Sequence, residues 1–162
     1  QLKANKQAKS RRDIVATNLS EGDAWRRIYE DYGTRQVTFE VKNYKGLKAA
    51  DYQQIQSYLS GEYGRLAFVI TRDDSVDLYA NKDVEWVREL YGARKVLIIK
   101  LTAKYISKLL YKLRYPQKHD DVNNAIHKLL DTYTRLYIAG ETNSSQKQKR
   151  KRKRKVNQRV PR

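Results

Sequence analysis

At 162 residues and 40% apolar content, the chain is long enough for one domain with a real core and too apolar for a disordered protein, and no run approaches the roughly 18 apolar residues of a membrane-spanning helix. Cysteine is absent, which excludes disulfides and cysteine-based zinc sites. The formal net charge of +17 is uneven: residues 13–146 hold 20 of the 35 Lys and Arg against all 18 acids, so the excess sits in residues 1–12 and 147–162 and a uniformly basic particle is excluded.

In chain order, RRDIVAT (11–17) reads as a short strand. AWRRIYEDYG (24–33) carries Trp25, Ile28, Tyr29 and Tyr32 at helical spacing, with Gly33 placed to end the helix. RQVTFEVKN (35–43) alternates apolar and polar residues as a second strand, and LKAADYQQIQSYLSG (47–61) is an amphipathic helix whose expected buried stripe is Ala50, Ile55, Tyr58 and Leu59. RLAFVITR (65–72) is a nearly continuous apolar run, as a strand covered on both faces would be, and Asp73 and Asp74 end it. NKDVEWVRELYG (81–92) is helical, KVLIIKL (95–101) is another buried strand, and AKYISKLLYKLR (103–114) is a helix stopped before Pro116. DDVNNAIHKLLDTYTRLYIAG (120–140) reads as one long final helix closed by Gly140. Strands alternating with helices predict an α/β or α+β layer fold over 13–140, of which α/β is the expectation taken forward, a central mixed sheet flanked by helices with a helical C-terminal extension. Residues 1–12 form a basic arm and 141–162 a basic tail, expected to be disordered because its like charges repel and it has little apolar surface to bury.

Chemistry concentrates at the second strand. A period of two puts Glu40 and Lys42 on one strand face, and a neighbouring first strand would bring Asp13 beside them. Two carboxylates, and the Val41 carbonyl between Glu40 and Lys42, are oxygen donors suited to Mg²⁺, with Mn²⁺ as substitute, whose remaining positions go to water and phosphate oxygens. Lys42 would then hold the attacking water, assist its deprotonation, or neutralise charge on a pentacovalent phosphate. The plainer alternative is a solvated strand face with a cross-turn ion pair, because a lone Glu-x-Lys is a weak signal.

Asp13, then Glu40-Val41-Lys42 on the next strand, then Gln54-Ile55-Gln56-Ser57-Tyr58 on the following helix resembles the PD-(D/E)xK nuclease superfamily, in its branch with a Gln-x-x-x-Tyr motif. The likeness spans roughly residues 11 to 100 and extends to RRDIV, FEVKNY, DYQQIQSYL and GRLAFVITR, similar to restriction-endonuclease-like modules found on larger prokaryotic proteins. It implies a restriction-endonuclease-like fold, metal binding by Asp13 and Glu40, a catalytic Lys42, and Gln54 and Tyr58 supporting the site. The family core usually begins with a helix and a strand before the first acid, whereas only a short polar, basic stretch precedes Asp13 here. With Gln1 at the start and no methionine, the expectation is a piece of a longer protein whose N-terminal region, or a partner subunit, supplies those elements.

The remaining candidates divide by their plainer explanations. Asp51 stands where an acid meets the helix dipole favourably, and Asp73 and Asp74 read most simply as strand-end solvation. Arg11, Arg12 and Lys45 are candidate nucleic-acid contacts, Lys48 is more simply solvated, and Asn43 suits a turn. His119 and His127, in different surroundings, form neither a zinc site nor an acid–base pair, and no Gly-rich phosphate loop is present. The run Lys149, Arg150, Lys151, Arg152, Lys153, Arg154 and Lys155 would give salt-sensitive, sequence-independent binding to a polyanion. The sequence therefore predicts a cytoplasmic, Mg-dependent nuclease module acting on DNA, plausible as a homodimer. The alternatives are a non-catalytic nucleic-acid-binding subunit that keeps the fold, and an assembly domain whose tail meets an acidic protein.

Overall fold

The computed structural model describes residues 13–78 and 81–140. The basic arm with Arg11 and Arg12, and the tail with Lys149 to Lys155, lie outside the described residues. Four strands, β1 (Ile14–Thr17), β2 (Gln36–Val41), β3 (Leu66–Thr71) and β4 (Leu97–Thr102), form one sheet in the order β1-β2-β3-β4. β1 runs antiparallel to β2, and β2, β3 and β4 are mutually parallel. Parallel neighbours need crossovers, and helices supply them: α2 (Ala49–Ser57) joins β2 to β3 and α3 (Asn81–Arg94) joins β3 to β4. α1 (Asp23–Tyr32) links β1 to β2, while α4 (Ala103–Leu113) and α5 (His119–Asp131) follow β4. The protein is thus a mixed α/β fold, and among the described residues no helix is long and apolar enough to cross a membrane.

The two sheet faces are covered by different helices. Phe39 and Phe68 stack at 5.2 Å, and Trp25 of α1 meets Phe68 edge-on at 6.4 Å. Glu40 and Val69, one step along their strands, face the other way and meet α2. β3 and β4 are buried almost throughout, as their continuous apolar text requires. The free edge of β4 is closed by Tyr133, whose buried hydroxyl accepts the Lys100 N–H at 2.9 Å. α5 packs on α1 through Arg27 and Asp131 at 2.6 Å and through Asn123, which accepts the Ala24 N–H.

Two sequence expectations need correction. The final helix is not uniform: α5 passes into a π-helical stretch, Thr132–Ile138, which turns Tyr133 and Tyr137 inward. In α2, Ala50 is exposed, and the buried stripe is Asp51, Tyr52, Ile55 and Tyr58. The stripe begins with an acid because the first turn of the helix meets the polar end of β2, while Tyr52 and Ile55 enter the apolar core.

A side chain could not stand at Gly64. Its φ of 60° is left-handed, and a Cβ there would lie 2.6 Å from the Tyr32 carbonyl. This close approach packs the turn before β3 against the end of α1.

Candidate functional site

β1 is antiparallel to the other strands, so its first residues lie at the same end of the sheet as the last residues of β2, β3 and β4. Asp13, Glu40, Lys42 and Asp73 all gather at that end. In open α/β sheets this is where ligands commonly sit, because strands stop and loops diverge there.

The site is built from the polar end of β2 and one stripe of α2. Glu40 is 3% exposed. Its Oε2 accepts from the Tyr58 hydroxyl at 2.6 Å and its Oε1 from the Gln54 amide at 3.3 Å. Lys42 Nζ lies 3.0 Å from Glu40 Oε1, donates to Gln54 Oε1 at 2.9 Å, and reaches Asp51 Oδ1 at 3.6 Å. Positions 51, 54 and 58 differ by three and four, so they form one helix stripe aimed at β2. The period of two on β2 delivers Glu40 and Lys42 to the same stripe. The solvated ion pair of the plainer reading is thereby overturned: the side chains of Glu40 and Lys42 are only 4% and 12% exposed.

Asp51 belongs to this cluster, which corrects its reading as a helix-dipole residue alone. Its Oδ1 accepts from the Tyr44 hydroxyl at 2.5 Å, and its Oδ2 from the Lys48 N–H at 2.8 Å, closing a cap on α2. Burial pushes its carboxyl up, but the Tyr44 hydroxyl, the Lys48 amide and Lys42 together outweigh that and hold it below the usual carboxylate range. Burial and the bond to Asp51 push Tyr44 up to about 12. The signal that could have singled out Asp51 was its spacing from Gln54 and Tyr58.

Asp13 reaches the same end by a different route. Lys42 gives its amide to the Ile70 carbonyl on β3, so the backbone groups of Val41 point toward β1. There the Val41 N–H donates to Asp13 Oδ2 at 2.7 Å, and the Val41 carbonyl shares that edge. Asp13 is exposed, whereas Glu40 is buried.

Lys45, Asp73 and Asp74 complete the rim. Lys45 pairs with Asp74 at 2.7 Å, both well exposed. Asp73 is more than strand-end solvation. Its Oδ2 lies 3.2 Å from the buried Lys100 Nζ, its Oδ1 accepts from the Gly46 N–H at 2.9 Å, and Lys100 also donates to the Asp77 carbonyl at 2.7 Å. Burial raises the Asp73 carboxyl, but the Gly46 amide and Lys100 outweigh it and hold it low. This cluster ties the turn after β2 and the turn after β3 to β4, and so fixes the loops that frame the site.

Mg²⁺, the cation expected from the sequence, would draw on Asp13, Glu40 and the Val41 carbonyl here, and these are oxygen donors of the kind it takes. Among the described residues no cluster of three or more His, Asp or Glu side chains is arranged to hold a metal. Two carboxylates and a carbonyl nevertheless satisfy a cation that takes the rest of its shell from water and phosphate. The charge balance also fits: one Lys42 ammonium faces two carboxylates, Glu40 and Asp51, with Asp13 at the rim. Lys42 already occupies Glu40 Oε1, so it and a cation compete for that oxygen.

No family model matches the chain, and no solved structure matches it. It is similar to a protein of Escherichia coli (strain K12) named "Putative transposon gamma-delta 80.3 kDa protein", at 51% identity over 135 residues. The match covers 83% of this chain and 19% of that protein, so the chain spans about a fifth of the length of the curated relative it matches.

Proposed function

We propose that this chain is a metal-dependent nuclease module of the PD-(D/E)xK kind, hydrolysing phosphodiester bonds in DNA within a restriction-endonuclease-like fold. The observation that carries the reading is the convergence of Glu40, Lys42, Gln54 and Tyr58 in one hydrogen-bonded cluster, with Asp13 on the adjacent strand. The resemblance rested on those residue types in that order, and a chance match of letters would not be expected to interlock. The relative's name ties it to a transposon and states no activity.

Asp13, Glu40 and the Val41 carbonyl would hold Mg²⁺, which when bound supplies Lewis-acid polarisation of a phosphate oxygen and a more acidic water. The protein's own groups do the positioning. Tyr58 and Gln54 fix the Glu40 carboxylate in one orientation, so its free lone pair is aimed rather than mobile. Lys42, once displaced from Glu40 Oε1, is a cation tethered by Gln54 and Asp51 beside the incoming phosphate. It neutralises developing negative charge there or orients the attacking water. The basic tail adds nonspecific affinity for the polymer. A regulatory domain or subunit N-terminal to this region and a dimer that cuts both strands belong to the same proposal.

The test is cleavage of supercoiled plasmid and single-stranded DNA with Mg²⁺ or Mn²⁺. It compares wild type, Lys42→Gln and Glu40→Gln, each shown folded by its melting curve. Metal-dependent cleavage lost in both variants, with DNA binding retained, is the expected result. Binding without cleavage in any variant or metal would instead favour a non-catalytic nucleic-acid-binding subunit. Cleavage unchanged by Lys42→Gln would sink the assignment of that lysine.

A further inference from the structure

The outer face of α4 holds features that the acidic site does not use. From Ala103 to Lys118 the chain carries five basic residues and no acid. No residue of α4 is buried, and Leu110, Tyr111 and Tyr115 are 57%, 58% and 41% exposed. Tyr111 stands in the last turn of α4 and Tyr115 just past its end, where the chain is extended and brings the second ring back beside the first. Their rings meet edge to face with centroids 5.6 Å apart, and their hydroxyls are 3.4 Å apart. The two rings are a preset pair rather than two independent side chains.

The charges around them are partly uncommitted. Asp121 engages Lys112 at 3.5 Å and Lys118 at 3.6 Å, while no described carboxylate pairs with Lys108 or Arg114. Two shallow grooves border the tyrosines. One lies between Lys108, Tyr111, Lys112 and Tyr115. The other runs from Arg114 and Tyr111 past Leu110 to Ile70 on β3. Ile70 is the register partner of Val41, whose N–H holds Asp13. Ile70 shares the sheet face of Phe68, opposite Glu40, so the second groove runs from Tyr111 to the end of β3 on the face away from the acidic cluster.

We propose that this face of α4 is a platform for single-stranded nucleic acid, with bases stacking on Tyr111 and Tyr115 and phosphates met by Lys108 and Arg114. Exposed aromatic faces interleaved with cations are what an unpaired strand can use: every base has a π-face, and the backbone brings one negative charge per nucleotide. A duplex presents only its phosphates to such a surface and gains nothing from the rings. The platform deepens the nuclease reading by naming an unpaired strand as the form of polymer the chain holds. It rests on that reading only for nucleic acid being the polymer.

The experiment measures binding of the full chain to a fluorescent thymidine homopolymer and to a duplex, with chelator present so that no turnover occurs. Salt is raised until the nonspecific contribution of the basic tail has largely fallen away. Tyr111→Ala with Tyr115→Ala is expected to weaken homopolymer binding about tenfold or more, from the ~1–3 kcal/mol typical of each stacked base, while duplex binding stays unchanged. Tyr111→Phe with Tyr115→Phe keeps the rings and is expected to retain wild-type affinity. Photo-cross-linking of an iodouracil strand should map to Tyr111 or Tyr115. Unchanged homopolymer binding in the double alanine variant, or cross-links confined to other segments, overturns the platform whatever the cleavage assay shows. Ring-dependent binding by a protein that never cleaves would uphold the platform and defeat the nuclease reading instead.

Discussion

Lys42 Nζ stands 3.0 Å from Glu40 Oε1 and 3.6 Å from Asp51 Oδ1, so one ammonium serves two buried carboxylates on two different elements. Removing it leaves both charges buried and uncompensated, and breaking such a pair costs about 3–5 kcal/mol. Lys42→Ala is expected to lose about 3 kcal/mol in urea unfolding. Adding Glu40→Gln should recover part of that loss, because the remaining buried negative charge is halved. A double-mutant cycle with no coupling would mean that Lys42 is held elsewhere.

Tyr58 makes the shortest contact to Glu40, at 2.6 Å, and both residues are buried. Tyr58→Phe removes one donor from a buried carboxylate and keeps the ring, at an expected cost of about 1–3 kcal/mol. If Glu40 holds the cation, losing the partner that orients it should also lower metal-dependent cleavage about 10–100-fold. The check is the metal concentration for half-maximal cleavage, which should rise. A purely structural role for Tyr58 would lower stability and leave that concentration unmoved.

Asp51 gives the site an acid limit. Its carboxyl sits below its ordinary value when folded, because the Tyr44, Lys48 and Lys42 contacts exceed the cost of burial. A depressed folded value contributes stability that is present above the unfolded value, about 3.9, and lost as pH falls through the folded one. Asp73 acts in the same direction through Gly46 and Lys100. Tyr44→Phe takes one hydrogen bond from Asp51 and should move the acid-unfolding midpoint to higher pH. Asp51→Asn should flatten the pH dependence below about pH 4, at the cost of lower stability near neutrality. Urea midpoints measured across pH 2 to 6 decide both.

The order of strands and helices was legible in the sequence because the patterns are strong. LAFVIT and LIIKLT admit only covered strands, and the 24–33 and 103–114 segments have clear helical stripes. Glu40 and Lys42 were legible on one strand face from a period of two, whereas Gln54 and Tyr58 came only from the resemblance to the Gln-x-x-x-Tyr motif. Asp51 was passed over because an acid in a first helical turn has a sufficient local explanation. Only packing of the helix against β2 gives it a second role. Asp73 has a sufficient local explanation as well, and its partner Lys100 is 27 residues away, in a strand that reads as buried from the apolar residues around that lysine. The exposure of Tyr111 and Tyr115 depends on which face of α4 meets the sheet, and tertiary contacts set that.

Tyr52 and Tyr133 offer a matched test of buried hydroxyls. Both are almost fully buried, at 1% and 0% exposure. The Tyr133 hydroxyl accepts the Lys100 N–H at the edge of β4, whereas the Tyr52 hydroxyl has no hydrogen-bond partner among the described residues. Burial first, then the negative charges of Asp83, Asp73 and Asp51, push the Tyr52 phenol well above the ordinary range. A buried polar group without a partner costs free energy, and deleting it removes that cost. Tyr52→Phe is therefore expected to be neutral or to stabilise the fold by up to about 1 kcal/mol, while Tyr133→Phe loses about 1 kcal/mol by orphaning a strand-edge amide. Chemical denaturation of the two variants side by side reads the difference. Equal destabilisation would show that the Tyr52 hydroxyl has a hydrogen-bonding role after all, with an ordered water between the carboxylates as its partner.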